Sequence, residues 1–135
     1  MFSYTLQTRY AETAQDGIVH HSSYVIYYEA ARIAYLQDKG YDITSMEKEG
    51  ILCPVVKLQA EYLRPLLSLE QVIVKVRVKQ AGKVRFSILH EIFKGQLKIA
   101  FAVTEHCFID RRFKPQPIPL PLQKAFLDEL SCEGQ

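Results

Sequence analysis

Residues 9–32 read RYAETAQDGIVHHSSYVIYYEAAR and decide the fold. The first half of this segment is turn-like and ends at Gly17, where the chain can bend without a Cβ penalty. From Ser22 or Ser23 to about Lys39, apolar residues recur at spacings of three and four, which is the period of an amphipathic helix. Serine at the start can accept a hydrogen bond from a free backbone N–H. The segment therefore predicts a loop that leads directly into a long helix.

Strand patterns lie on both sides of this segment. Five strands are predicted, at residues 2–10, 54–64, 68–80, 83–93 and 97–109. In the third strand the valines at 72, 74, 76 and 78 share one face, opposite Lys75, Arg77 and Lys79. The last two strands form a hairpin across Lys94-Gly95-Gln96.

Two shorter helices complete the prediction. Thr44 and Glu47 form a capping box at the start of a short helix over 44–49, and residues 120–130 predict a C-terminal amphipathic helix. The prolines between 115 and 121 exclude a central strand there. The chain is therefore expected to be one α+β domain over residues 1–135. One long helix covers one face of the sheet, so the other face or an edge strand invites a dimer.

Composition narrows the classes of function. Apolar residues make up 48% and charged residues 24%, and the net charge of +2 is too weak to indicate a nucleic-acid binder. The apolar runs are too short for a membrane span, and three cysteines without metal-ligand spacing suit a reducing compartment. The N-terminus lacks a signal-peptide layout. We therefore expect a soluble cytoplasmic protein without a metal.

The loop and helix carry a resemblance to a known family. The matching features are Tyr10, Glu12-Thr13, Gly17-Ile18-Val19, His20-His21, Ser23-Tyr24, Glu29 with Arg32, Glu61-Tyr62-Leu63-Arg64-Pro65, and Asp110 with Pro117-Ile118-Pro119. With this layout the chain resembles the hot-dog fold, in which a five-stranded antiparallel sheet wraps around one long helix. It is most similar to the 4-hydroxybenzoyl-CoA thioesterase branch and its bacterial acyl-CoA thioesterase relatives.

The resemblance implies an acyl-CoA thioesterase, with one departure at the catalytic position. Ala14 stands where catalytic members usually have the second Asp of Asp-Thr-Asp, the carboxylate thought to act as nucleophile or general base. Some hot-dog thioesterases lack this acid and rely on backbone polarisation. The alternative is a non-catalytic or engineered-inactive protein of the same fold that binds acyl thioesters.

The remaining candidates for catalysis are His21, Asp16 and Glu29. By the resemblance, the amide at about His21 would point at the thioester oxygen, and its imidazole can hold or move a proton near neutral pH. His20 and His21 can instead only order the loop or cap the helix. Asp16 could activate a water or be a solvated turn residue. Glu29 could position water or pair with Arg32.

Candidate binding residues are the loop positions Gly17, Ile18 and Val19, the tyrosines Tyr24 and Tyr28, and the cations Arg64 and Arg85. The tyrosines can line an acyl pocket or belong to the core, and the arginines can meet the phosphates of coenzyme A or be solvated charges. The expected partners are an acyl-CoA or other acyl thioester and further copies of this chain, in a homodimer or homotetramer. No cofactor is expected beyond coenzyme A as part of the substrate, and neither nucleic acid nor a membrane is expected as a partner.

Overall fold

The computed structural model describes residues 1–133 as one antiparallel sheet with helices on its inner face. Its elements in chain order are β1 (Phe2–Gln7), α1 (His21–Asp38), α2 (Ile43–Lys48), β2 (Val55–Tyr62), β3 (Gln71–Ala81), β4 (Arg85–Lys94), β5 (Leu97–Ile109), β6 (Pro115–Gln116) and α3 (Leu120–Glu133). The strands are ordered β1-β3-β4-β5-β2, and β6 adds a short pair to β5. The α+β architecture predicted from the sequence is confirmed.

The core lies between α1 and the inner face of the sheet. Val76, His90 and Ala102 stand opposite one another on β3, β4 and β5, which shows how the inner face is built from alternate residues. The helix α1 packs against β1 and β3, and α3 packs against β3. Tyr28 and Tyr35 of α1 are fully buried, so the tyrosine stripe of the helix is core, as the pattern predicts.

The strand β2 occupies the far edge of the sheet and is left largely uncovered. It pairs with β5 instead of with β3, its neighbour in sequence. Three of its apolar residues, Val55, Leu58 and Tyr62, are 44%, 41% and 46% exposed although they belong to the inner face. Because α1 packs toward β1 and β3, a trench runs between α1 and β2.

Several predicted boundaries differ from the structure. The long helix begins at His21, with His20 as its cap instead of Ser22 or Ser23, because the Nδ1 atom of His20 accepts from the backbone amide of Ser22. The predicted box of Thr44 and Glu47 is wrong, since Asp42 caps the short helix by accepting from the Thr44 amide at 3.2 Å.

The ends of the first strand and the last helix also differ. β1 stops at Gln7, and Tyr10–Glu12 form a 3-10 turn. The C-terminal helix runs to Glu133, three residues beyond its predicted end. Within residues 1–133, no helix is both long and apolar enough to cross a membrane.

Candidate active site

The loop before α1 is a tight hairpin-like turn. Thr13 bridges Val19, and the Ala14 amide donates to the Ile18 carbonyl at 2.8 Å. Inside this turn the Gly17 amide donates to the Ala14 carbonyl at 3.0 Å, and Gly17 has a φ of +80°, which favours glycine. The turn therefore fixes Ala14 and Ile18 side by side at the entrance to the helix.

Hydrogen bonds hold the start of α1 in place. The His20 amide donates to the Glu12 carbonyl at 2.8 Å, and the Ser23 hydroxyl donates to the same carbonyl at 3.1 Å. The Ser22 amide donates to the Nδ1 atom of His20, and the Ser23 amide donates to the His20 carbonyl. The amide of His21, in contrast, makes no hydrogen bond within residues 1–133. It is a free donor at the positive end of an 18-residue helix.

A cleft of about 300 Å³ opens beside this helix start. It is lined by Ile18, Val19, His21, Tyr24, Tyr62, Leu63, Arg64 and Pro65. The rings of Tyr24 and Tyr62 meet edge to face with centroids 4.9 Å apart, and the Tyr62 hydroxyl donates to the His21 carbonyl at 3.3 Å. Burial raises the pKa of the Tyr24 hydroxyl, which therefore stays protonated.

The structure brings five of the predicted site residues to this cleft: Ile18, Val19, His21, Tyr24 and Arg64. Ala14 is exposed on the adjoining loop, with Gly17 next to it. Asp16 uses its Oδ1 atom to accept from the Ile18 amide at 3.1 Å. Its carboxylate is thus engaged in the turn, and it does not line the cleft.

Three predicted residues lie elsewhere in the chain. Glu29 is exposed about 12 Å further along α1 than His21, where it lines a second cavity. Tyr28 is 1% exposed and lies beneath the helix against the His90 ring. Arg85 lines a shallow pocket at the opposite end of the sheet. A single chain therefore does not place Glu29 or Arg85 beside His21.

Sequence reasoning missed Tyr62, Leu63 and Pro65 as members of the cleft. They belong to the motif Glu61-Tyr62-Leu63-Arg64-Pro65, which was noticed only as part of the family resemblance. The position of this motif at the end of a strand could have indicated its place in the cleft. A strand that ends at the sheet edge can place its last residues over the start of the long helix. The amide of Arg64 donates to the Ile99 carbonyl at 3.0 Å, which holds this segment in the sheet.

The arrangement can polarise a carbonyl group. An unpaired amide at a helix start stabilises a developing oxyanion. The exposed guanidinium of Arg64 at the rim can meet a phosphate. Across residues 1–133, no group of three His, Cys, Asp or Glu side chains could hold a metal ion.

Comparisons with known proteins agree with this geometry. The Thioesterase-like superfamily profile matches residues 11–127. A Bacillus subtilis protein named "Putative acyl-CoA thioesterase YneP" is 34% identical over 91% of this chain and 88% of its own length. The crystal structure of a DHNA-CoA thioesterase from Staphylococcus aureus is 30% identical and superposes with a TM-score of 0.86, covering 98% of this chain and 94% of that one. The predicted hot-dog thioesterase fold is thereby confirmed, and the chain belongs to the Thioesterase-like superfamily.

Proposed function

We propose that this protein hydrolyses acyl or aroyl thioesters of coenzyme A in the cleft beside the start of α1. The observation that carries the proposal is the unpaired amide of His21, a residue that lines the cleft at the positive end of the helix. The names of the relatives support the same chemistry, since the Bacillus and Staphylococcus proteins are both named as CoA thioesterases. In this proposal the reaction uses no cofactor, and coenzyme A takes part only as a portion of the substrate.

The reaction follows from these positions. The thioester carbonyl oxygen accepts from the His21 amide, and water attacks the carbonyl carbon to form a tetrahedral oxyanion that the helix dipole stabilises. Collapse of this intermediate breaks the carbon–sulfur bond and releases the acid and the coenzyme A thiolate, which takes up a proton. Arg64 at the rim binds a phosphate of coenzyme A.

The attacking water needs a base, and Ala14 does not supply one. His21 lines the cleft, and its imidazole takes the proton in this proposal. A positioned general base contributes about 10²–10⁴ in rate, so this chain is expected to be a slow hydrolase compared with one that carries Asp at this position. The competing proposal is a protein that binds acyl thioesters without hydrolysing them, and Ala14 is the observation that favours it.

We further propose that the protein works as a homodimer joined through β2. The strand is an edge of the sheet, and the apolar residues Val55, Val56 and Leu58 along it are each more than 40% exposed. A second copy that adds its own β2 would satisfy this edge and cover the trench beside α1. Two such dimers could form a tetramer, and we propose that the protein acts in the cytoplasm.

The test is hydrolysis of a panel of acyl-CoA and aroyl-CoA esters by the wild type and by Ala14→Asp. We expect slow turnover by the wild type and faster turnover by the variant, because Ala14 is exposed on the loop beside the cleft and a carboxylate fits there. His21→Ala should lower the rate of the wild type. If both proteins bind the esters but hydrolyse none of them, the binding-protein alternative replaces the enzyme.

A further inference from the structure

Arg32 is a buried cation for which residues 1–133 provide no ion-pair partner. It lies in the middle of α1, is 8% exposed, and has one hydrogen-bond partner within residues 1–133, the His90 Nε2 atom at 3.4 Å. Burial lowers the pKa of its guanidinium, and Glu29 partly offsets this effect. A buried charge without an ion partner costs several kcal/mol. An anion bound beside Arg32 would offset this cost.

The polar groups around Arg32 do not provide a negative charge. His90 is fully buried, and its Nδ1 atom pairs with the Ala102 carbonyl at 3.3 Å, so it faces Arg32 as a neutral ring. Burial and the positive charge of Arg32 lower the pKa of both His90 and His106 to about 3. Burial raises the pKa of the Cys53 thiol to about 12, so it is also neutral.

A cavity of about 290 Å³ reaches Arg32 from the surface. We call it the Arg32 cavity; its lining includes Arg32, Leu36, Tyr41, Cys53, Val55 and His106. The two carboxylates at its wall, Glu29 and Glu47, are exposed, and neither forms an ion pair with Arg32 in the described part of the chain. Nearby, the Tyr28 ring packs against the His90 ring, and its buried hydroxyl has no hydrogen-bond partner among the described residues.

The Arg32 cavity and the thioester cleft are separate cavities, and both lie between α1 and β2. The cleft contains Tyr24 of α1 and Tyr62 of β2, and the Arg32 cavity contains Arg32 of α1 and Val55 of β2. Helix and strand therefore run in opposite directions on the two sides of the trench. His21 and Arg32 are eleven positions apart, which corresponds to about 16 Å along the helix, a distance that an extended acyl chain can span.

We propose that the Arg32 cavity binds a carboxylate at the far end of the acyl group, so that the preferred substrates are thioesters of long-chain dicarboxylic acids. This inference rests on the proposed thioesterase function of the cleft. The distal carboxylate pairs with the guanidinium of Arg32, and the methylene chain lies in the trench beside Leu58 and Val25, which are both exposed and apolar. A plain acyl chain of the same length leaves Arg32 unpaired and therefore binds less tightly.

The test compares matched pairs of substrates. For each length from octanedioyl to hexadecanedioyl, kcat/KM of the mono-CoA thioester is measured against that of the plain acyl-CoA with the same number of carbons. Because only the dicarboxylic ester forms a charge-assisted hydrogen bond with the buried guanidinium, we expect it to be preferred about tenfold or more at the best length.

Variants of Arg32 connect this preference to the cavity. Arg32→Met should remove the preference while hydrolysis of the plain esters continues, and Arg32→Lys should keep part of it. The change to Met need not unfold the protein, because an apolar residue often replaces a buried charge without loss of stability. Arg112→Met removes the same charge from an exposed turn and should keep the full preference.

Binding of thioether analogues separates the two proposals. If neither ester is hydrolysed but the dicarboxylic thioether binds more tightly than the plain one in an Arg32-dependent way, the cavity assignment holds and the enzyme proposal fails. Equal kcat/KM values for the two esters in the wild type, or a preference that survives Arg32→Met, overturn the assignment. Stabilisation by free acetate that depends on Arg32, without any substrate preference, shows a site for small anions and also overturns it.

Discussion

The Tyr27 hydroxyl donates a 2.6 Å hydrogen bond to the Oε1 atom of Glu12, across the junction between α1 and the loop before it. The same carboxylate accepts from the Arg9 amide at 2.7 Å and from the Arg9 Nε atom at 3.2 Å. The backbone carbonyl of Glu12 accepts from His20 and Ser23. Glu12 thus ties the loop to the helix through both its side chain and its backbone, and the position of the His21 amide depends on it.

Removing the Tyr27 hydroxyl should loosen this junction. Tyr27 is 4% exposed, and a hydrogen bond from a buried hydroxyl to a carboxylate contributes about 1.5–3 kcal/mol. We expect Tyr27→Phe to lower the free energy of unfolding by about that amount at pH 7, as measured by urea denaturation. In a Glu12→Gln background the same change should cost less, since the charged acceptor is gone. Equal costs in both backgrounds would mean that the hydroxyl acts through packing alone.

The stability that Glu12 contributes should depend on pH. Burial alone would raise the pKa of its carboxyl, but the hydrogen bonds from Tyr27 and Arg9 outweigh it, so the pKa is lowered in the folded state. A carboxyl of this kind stabilises the fold above its ordinary pKa, and the contribution disappears as the pH falls through the folded value. The difference between wild type and Tyr27→Phe should therefore shrink below about pH 4. A constant difference down to pH 3 would contradict this.

The two buried histidines should make the fold sensitive to mild acid. Burial, together with the charge of Arg32, lowers the pKa of His90 and His106 to about 3 in the folded state. The unfolded chain binds protons near the ordinary value of about 6.5, so stability falls as the pH drops below that value. We expect His106→Gln, which can still bond Thr104, to have a flatter profile than the wild type between about pH 6.5 and 5, a range above most carboxyl titrations. Parallel unfolding profiles would rule out this role for His106.

Sequence periodicity predicted the strands and the long helix because each element buries one face. The alternating valines of β3 and the tyrosines of α1 both appear in the core. The cap of α1 was missed because the preferred cap residues, Ser22 and Ser23, lie beside a histidine whose ring nitrogen performs the same role. The preferences of single residue types for the cap position could not decide between His20, Ser22 and Ser23. The cap depends on how the Glu12 carbonyl anchors the preceding loop.

The candidate site was predictable only where neighbouring residues build it. Ile18, Val19, His21 and Tyr24 are close in sequence and meet in one cleft. Tyr62 joins them only because β2 lies at the sheet edge beside β5, a pairing that periodicity does not reveal. For the same reason, periodicity does not reveal that Arg32 faces His90, since the two residues are 58 positions apart.

Phe113 offers a simple stabilising substitution. It is 75% exposed and has a φ of +64°, a left-handed conformation that costs a bulky residue roughly 1–2 kcal/mol. Asn tolerates this conformation, so we expect Phe113→Asn to raise the free energy of unfolding by about 1 kcal/mol in a urea titration. Phe113→Leu keeps a bulky side chain at the same backbone angle and should bring no gain. A gain from Leu equal to that from Asn would show that the backbone angle is not the cause.

The exposed edge of β2 should control assembly and activity together. Val56 is 45% exposed on this strand, and a lysine at an edge opposes pairing with another copy. We expect Val56→Lys, which leaves Leu58 of the trench unchanged, to run as a monomer in light scattering, whereas the wild type runs as a dimer or tetramer. Leu120→Lys, at a 78% exposed position at the start of α3, should leave the assembly intact.

Activity then shows whether the partner completes the site. The trench beside α1 is open in a single chain, so a monomer should hold the acyl group poorly, and we expect a raised KM for long acyl-CoA esters in the lysine variant. Circular dichroism should match the wild type, because the lysine replaces an exposed side chain. A wild-type protein that is monomeric and fully active would contradict the proposed dimer, and a dimeric lysine variant would place the interface on another surface.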